Sequence, residues 1–149
     1  MLTNDINNGD IIPGRCIGEI RLNETEKILL SQIGTVYRKK TGTDCSEYEV
    51  DSLKIRVDSR SKRVYQILVI EGFEGALFNQ IRVGTPFNKL KELGEVYYDL
   101  DTYQIRGIEG VCFELSEDET SEDDYDVENT YIECISVYDP SDREHFYYD

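Results

Sequence analysis

Two regions of the chain alternate apolar and polar side chains with a period of two. In the first, Tyr48 and Val50 are followed, after one break, by Leu53, Ile55 and Val57, and then by "RVYQILVI". In the second, Tyr103, Ile105, Ile108, Val111, Phe113 and Leu115 are interrupted between Gly107 and Gly110, and "YIECISVYD" follows. Such alternation predicts antiparallel strands with one wet face. A helical pattern precedes each region. Over Asn23–Ser31, the apolar Ile28, Leu29 and Leu30 are flanked by Glu24, Glu26 and Lys27, with Asn23 as the cap, Glu26 three residues on, and Gly34 as a left-handed stop. Over Thr85–Leu93, Thr85 caps, Pro86 takes the first helical position, Phe87, Leu90 and Leu93 recur at i, i+3 and i+6, and Gly94 ends the run.

The two regions also match each other. "CIGEIRLNETEKILLSQIGTVYRK" (Cys16 to Lys39) and "LFNQIRVGTPFNKLKELGEVYYD" (residues 77 to 99) share an Ile-Arg entry, a short helical run, an apolar-Gly pair and a Val-Tyr. The order of elements after them matches as well. The pattern predicts an α+β fold made by tandem duplication of one unit, a short helix packed on an antiparallel sheet of about four strands. The units span 15–75 and 76–139, with tails at 1–14 and 140–149. A unit of roughly 60 residues is marginal alone, so the two are expected to pack on one another.

Composition adds a core and a polarity. Of 149 residues, 39% are hydrophobic, which is enough for a folded interior and argues against general disorder. No apolar run reaches the roughly 18 residues of a membrane span. The start, "MLTNDINNGDIIPGRC", has neither a basic head nor an apolar stretch, so no secretory signal is visible and a cytoplasmic location is the expectation. A mature secreted form would look the same. The formal net charge is −15, and residues 76–149 hold 19 Asp+Glu against 5 Lys+Arg, nearly all of that excess. The field repels nucleic acid and anionic membranes and attracts basic partners, or serves solubility alone.

Chemistry is sparse. Cys16, Cys45, Cys112 and Cys134 form no C-x-x-C, and Cys112 and Cys134 fall in strand-like runs as reduced core residues. The single histidine, His145, lies in the C-terminal tail beside Glu144 and Phe146 and reads as a surface residue without partners. That leaves Ser-His-Asp and Cys-His schemes without a base. "GFEGALFNQIRVG" lacks the spacing and the lysine of a phosphate loop. Asp124, Asp126 and Glu128 imitate the start of a calcium loop but lack its closing ligand. Neither catalysis nor a metal or cofactor is expected.

Two features point instead to a partner. The segment 116–129 carries Glu117, Asp118, Glu119, Glu122, Asp123, Asp124, Asp126 and Glu128 with no positive residue, as an acidic hairpin loop that docks on a basic surface or is merely solvated. Eight of the 11 tyrosines lie in the second half. Tyr125 sits inside the acidic loop, and Tyr97, Tyr98 and Tyr103 stand on strand-like runs. Ordinary strand packing accounts for some of them. Adjacent Tyr97 and Tyr98 must point to opposite faces, so one meets solvent. Exposed tyrosine beside carboxylates suits a protein-binding surface.

The segment "FNQIRVGTPFNKLKELG" (Phe78 to Gly94) resembles the repeat of beta-lactamase inhibitory proteins, and is similar to the small outer-membrane assembly lipoprotein domain with its Val-Gly-Met-Thr helix start. The earlier copy, Ile20 to Gly34, matches less well. The usual Met after Gly84 is absent, and Asn23 replaces the Gly of the first copy. The resemblance implies two tandem helix-and-four-strand units forming a concave sheet that grips an enzyme, and transfers no contact residue. The acidic profile is similar to that of bacterial immunity proteins. The expected function is therefore non-enzymatic inhibition of one protein with a basic surface, a nuclease-type toxin, through the acidic loop and the tyrosines. The alternative is a small structural or ligand-binding domain whose charge serves only solubility.

Overall fold

The computed structural model describes residues 6–116, 130–142 and 145. The chain opens with three two-residue strands, β1 (Ile11–Ile12), β2 (Cys16–Ile17) and β3 (Ile20–Arg21), which form a small antiparallel sheet. Helix α1 (Glu26–Ile33) follows. Then come β4 (Arg38–Thr41), β5 (Cys45–Val50), β6 (Leu53–Asp58) and β7 (Val64–Val69). A 3₁₀ segment (Phe87–Glu92) leads to β8 (Val96–Asp99), β9 (Thr102–Ile105), β10 (Ile108–Leu115) and β11 (Ile132–Tyr138). These last two groups of strands join in one eight-stranded antiparallel sheet, ordered β4-β5-β6-β7-β11-β10-β9-β8.

This overturns the expected tandem α+β repeat. The fold is largely β, with one continuous sheet and, among the described residues, a single short α-helix. The strands of residues 15–75 and 76–139 meet edge to edge, where β7 pairs with β11 through Ile135 opposite Val69 and Val137 opposite Ile67. The second expected helix fails for a reason visible in its own spacing. Phe87, Leu90 and Leu93 recur every three residues, which is the period of a 3₁₀-helix rather than an α-helix. Phe87 and Leu90 are both buried on that face. Thr85 does not cap it; its Oγ1 accepts from the Arg82 N–H, and the Phe87 N–H donates to the Thr130 carbonyl.

Helix α1 starts later than the pattern implied. Thr25 is the cap, accepting from the Ile28 N–H at 3.3 Å, while Asn23 has a φ of 66° and lies outside the helix. Gly34 closes it with a φ of 78° and an N–H donated to the Leu30 carbonyl. The first break in alternation is a hairpin turn, Asp51-Ser52 between β5 and β6; the second combines the Arg106-Gly107 turn between β9 and β10 with an irregularity inside β10 after Ile108, where Gly110 has a φ of 86°. Leu100-Asp101, both at positive φ, joins β8 to β9 as a tight two-residue turn.

One face of the large sheet carries the core. Leu53, Ile55, Ile67, Phe113 and Ile135 pack there with Leu29 and Ile33 of α1, Ile17 and Ile20 of the small sheet, and Phe87 and Leu90. Fully burying a side chain such as Leu29 contributes about 1.5–3 kcal/mol. Ile11, assigned by the sequence pattern to a tail, is buried in the same core. Among the described residues no helix is long and apolar enough to cross a membrane.

Candidate functional site on the second face of the sheet

Because side chains alternate across a strand, the residues between the core positions share the opposite face. On β5 to β7 these are Glu47, Arg56 and Gln66, and on β11, β10 and β9 they are Ser136, Cys112 and Gln104. All but Gln104 are linked to one another across the strands, and Gln104 bonds the neighbouring tyrosines. Arg56 Nε donates to Glu47 Oε1 at 3.0 Å and its Nη1 to Gln66 Oε1 at 2.8 Å. Gln66 Nε2 donates to Ser136 Oγ at 2.7 Å. Gln104 Oε1 accepts from Tyr138 Oη and from Tyr97 Oη, each at 3.2 Å. The centre of the row is buried, with Gln66 and Ser136 only 8% and 4% exposed. Burial raises the Cys112 thiol to about 11 despite hydrogen bonds with Thr102 and Ser136. The neighbouring Cys134 thiol on this face is also pushed up, by burial first and then by the nearby Glu114 carboxylate.

Two clefts lie along this face, and Arg56 lines both. One, of about 820 Å³, is bordered by the β6–β7 turn and the β8–β9 turn, with Asp58, Arg60, Tyr65, Gln104 and Tyr138 in its walls. The other, of about 800 Å³, lies toward Lys54, Leu68, Glu114, Tyr131 and Cys134. Toward β10, β9 and β8 the face carries Glu114, Asp99 and Asp101, whereas toward β4, β5 and β6 it mixes Arg38, Lys40, Lys54 and Arg56 with Glu47 and Glu49.

A bulge shapes the first cleft. Arg56 pairs with Gln66 but Val57 pairs with Val64, so Tyr65 is an extra residue. Its ring stacks on His145, with centroids 3.9 Å apart and planes 13° apart. His145 therefore does not match the expected surface residue without partners. Its Nδ1 lies 2.7 Å from Asp142 and its Nε2 lies 3.0 Å from Asp58, so both ring nitrogens face carboxylates. Asp58 is 87 positions away along the chain, so adjacency to Glu144 and Phe146 gave no sign of it, and Asp142 is brought to the ring from three residues upstream.

Asp58 holds the β6–β7 turn. Burial alone would raise its carboxyl, but hydrogen bonds from the N–H groups of Arg60 and Ser61, with His145 beside it, outweigh that and leave it below the ordinary carboxylate value. The Tyr65 hydroxyl is pushed up, by burial first and then by its hydrogen bond with Cys45.

The residues singled out in the sequence divide into groups. Glu117, Asp118, Glu119, Glu122, Asp123, Asp124, Tyr125, Asp126 and Glu128 lie outside the described residues. Tyr97 and Tyr98 do point to opposite faces, and both are exposed, at 37% and 60%. Tyr97 belongs to the polar row, with Arg106 stacked over its ring at 5.5 Å. Tyr98 and Tyr103 are cross-strand partners on the core face, 4.9 Å apart, with Tyr103 against Phe87. The three tyrosines thus do not form one patch. Arg56, Gln66, Ser136 and Gln104 were missed, although Gln66 and Ser136 are the lone uncharged polar residues in the apolar runs "VYQILV" and "IECISVY".

No family model and no curated protein matches this chain. Among solved structures, the crystal structure of the uncharacterised protein YfeY from Escherichia coli is similar. Its TM-score is 0.57 at 15% identity, over 89% of this chain and 97% of that one. That likeness concerns the fold alone.

Proposed function

We propose that this chain is a non-enzymatic inhibitor of the immunity type, which works in the cytoplasm and neutralises a basic, nuclease-type toxin by seating it on the polar face of the large sheet. The observation that carries this reading is the bonded row Glu47–Arg56–Gln66–Ser136 lying between two clefts. Side chains already fixed by their neighbours lose little conformational freedom on binding, which is what an affine docking surface requires. The acidic side of the face, at Glu114, Asp99 and Asp101, is where a basic partner would approach fastest. Tyr97 supplies an aromatic anchor at the rim of the row.

The test is to look for a basic nuclease domain encoded beside this chain and to co-produce the two, reading both toxicity and co-purification. Wild type should abolish toxicity and co-purify. Arg56→Ala with Gln104→Ala should restore toxicity while the chain stays folded. Toxicity that persists with wild type, or relief that survives the double variant, would remove this face from the account. A second reading, a ligand-binding domain, is favoured by the cleft volumes, which fall within the roughly 300–1,000 Å³ usual for small-molecule sites. It requires a small molecule that raises the melting temperature of wild type and fails to do so with Arg56→Ala.

A further inference from the structure

The two edges of the large sheet carry opposite charge. Strand β4, at one edge, reads Arg-Lys-Lys-Thr with all its side chains exposed. Strand β8, at the other, reads Val-Tyr-Tyr-Asp between Glu95 and Asp101. Neither has a further strand beside it among the described residues. Every strand in the sheet is antiparallel to its neighbour, and an even number of strands leaves β4 and β8 running in opposite directions. Placed edge to edge, β8 of one copy would therefore continue the β4 edge of another with the alternation intact.

The backbone agrees in register. The tight Leu100-Asp101 turn makes Asp99 and Thr102 a hydrogen-bonded pair, so Asp99 and Tyr97 direct their backbone groups to β9, and Tyr98 and Val96 direct theirs outward. At the other edge the Gly42 N–H donates to the Cys45 carbonyl. Counting back by two, Lys40 and Arg38 bond to β5, and Thr41 and Lys39 face outward. Aligning Lys39 with Tyr98 and Thr41 with Val96 brings outward groups to outward groups. It also sets Arg38 opposite Asp99 and Lys40 opposite Tyr97 on the polar face, and Lys39 against Tyr98 on the core face. Those are one ion pair and two cation–aromatic pairs.

We infer that this chain associates head to tail with further copies of itself, β4 of one pairing with β8 of the next. Like edges reject one another, since β4 on β4 sets Lys39 against Lys39 and β8 on β8 gathers Asp99 and Asp101. The edge charges thus block the isologous pairings and permit the heterologous one. Strands of four residues bury little surface, so the association is weak and transient.

The experiment is sedimentation velocity of the full chain at fixed physiological ionic strength, from about 10 µM to about 1 mM, the range in which such small interfaces are populated. Wild type should sediment faster as concentration rises. Arg38→Glu and Asp99→Lys should each weaken association by roughly three- to tenfold. The double variant, Glu against Lys in the same pair, should recover it. Asp99→Lys also lowers the net negative charge, so general repulsion alone predicts tighter association for it. Thr41→Pro, which removes an outward N–H and no charge, should weaken association as well. A wild type that remains monomeric at about 1 mM overturns the inference. So does undiminished association of Asp99→Lys, a double variant no tighter than the single ones, or a Thr41→Pro protein that associates like wild type.

Discussion

Removing the Ser136 hydroxyl should cost more than the bond it makes. In the native protein Gln66 Nε2 donates to Ser136 Oγ at 2.7 Å, and both residues are buried. A net hydrogen bond contributes about 0.5–1.5 kcal/mol, but a buried donor left without its acceptor costs about 1–3 kcal/mol. Ser136→Ala should therefore destabilise by about 1–3 kcal/mol, with the loss falling on Gln66. Gln66→Leu leaves Ser136 Oγ without its donor and one guanidinium N–H of Arg56 without its acceptor, although Arg56 keeps Glu47. It should cost about 1–2 kcal/mol. Together the two changes replace both partners by apolar groups, so the double variant should be less destabilised than the sum by about 1 kcal/mol or more. Cys112 also bonds Ser136 but keeps Thr102, so it contributes little to the coupling. Urea unfolding followed by tyrosine fluorescence suits the chain, which has 11 tyrosines and no tryptophan. Equal slopes against urea are needed for the comparison to hold. If the two effects add within about 0.3 kcal/mol, the buried row is not a cooperative unit.

Three further outcomes follow from the same geometry. Asp58 and Asp139 have carboxyls held below their ordinary 3.8, so their contribution to stability is complete above that value and is lost as pH falls through the lowered folded values. Acid titration of Asp58→Asn should show a shallower fall in stability below about pH 4, and an unchanged slope would contradict the assignment. A methyl group on Gly75 would collide with the Gly9 carbonyl and the Phe73 ring, while one on Gly107 meets open space at a φ of 89°. Gly107→Ala should thus cost about 1–2 kcal/mol from strain alone and Gly75→Ala more than about 3 kcal/mol in thermal unfolding, and equal costs would sink the packing argument. The Cys112 and Cys134 thiols, buried and raised, should resist a thiol reagent in the native protein and react on unfolding, and rapid native labelling would refute their placement.

The strands were legible because alternation is a local property. Tyr48, Leu53, Ile55 and Phe113 sit on the core face that their period-two spacing assigned. The hairpin turns were visible only as breaks, since a two-residue turn such as Asp51-Ser52 occupies no more sequence than a bulge. The second helix was misassigned because a spacing of three fits both a 3₁₀ turn and one side of an α-helix. Two aspects were beyond local reading. The union of all eight strands depends on β7 meeting β11, partners separated by 66 or more positions. The place of His145 depends on Asp58, 87 positions away. Tyr97 and Tyr98 split as neighbours on a strand must. Nothing local indicated that Tyr103 would join Tyr98 rather than the polar face, until the cross-strand register was known.

The displaced titratable groups among the described residues are held in their ordinary charge states. A general acid or base is useful when its pKa is brought toward the working pH, and a nucleophilic thiol when its pKa is lowered. Every resolved shift among the described residues runs the other way. Asp58 and Asp139 are lowered further into the ionised range. Cys16, Cys112 and Cys134 are raised away from the thiolate, and Tyr48 and Tyr65 away from the phenolate. Burial is the chief cause for the thiols and phenols, and hydrogen bonds from neighbouring groups are what lower the two carboxyls. A row whose members are already bonded to one another, Arg56 to Glu47 and Gln66, and Gln66 to Ser136, is a good template. It presents a fixed pattern of donors and acceptors to whatever approaches, and this supports the proposal of a docking surface. On that proposal the burial of Gln66 and Ser136 has a role beyond the bond between them, because it would hold the middle of that pattern rigid while the exposed Tyr97 at its rim would make first contact.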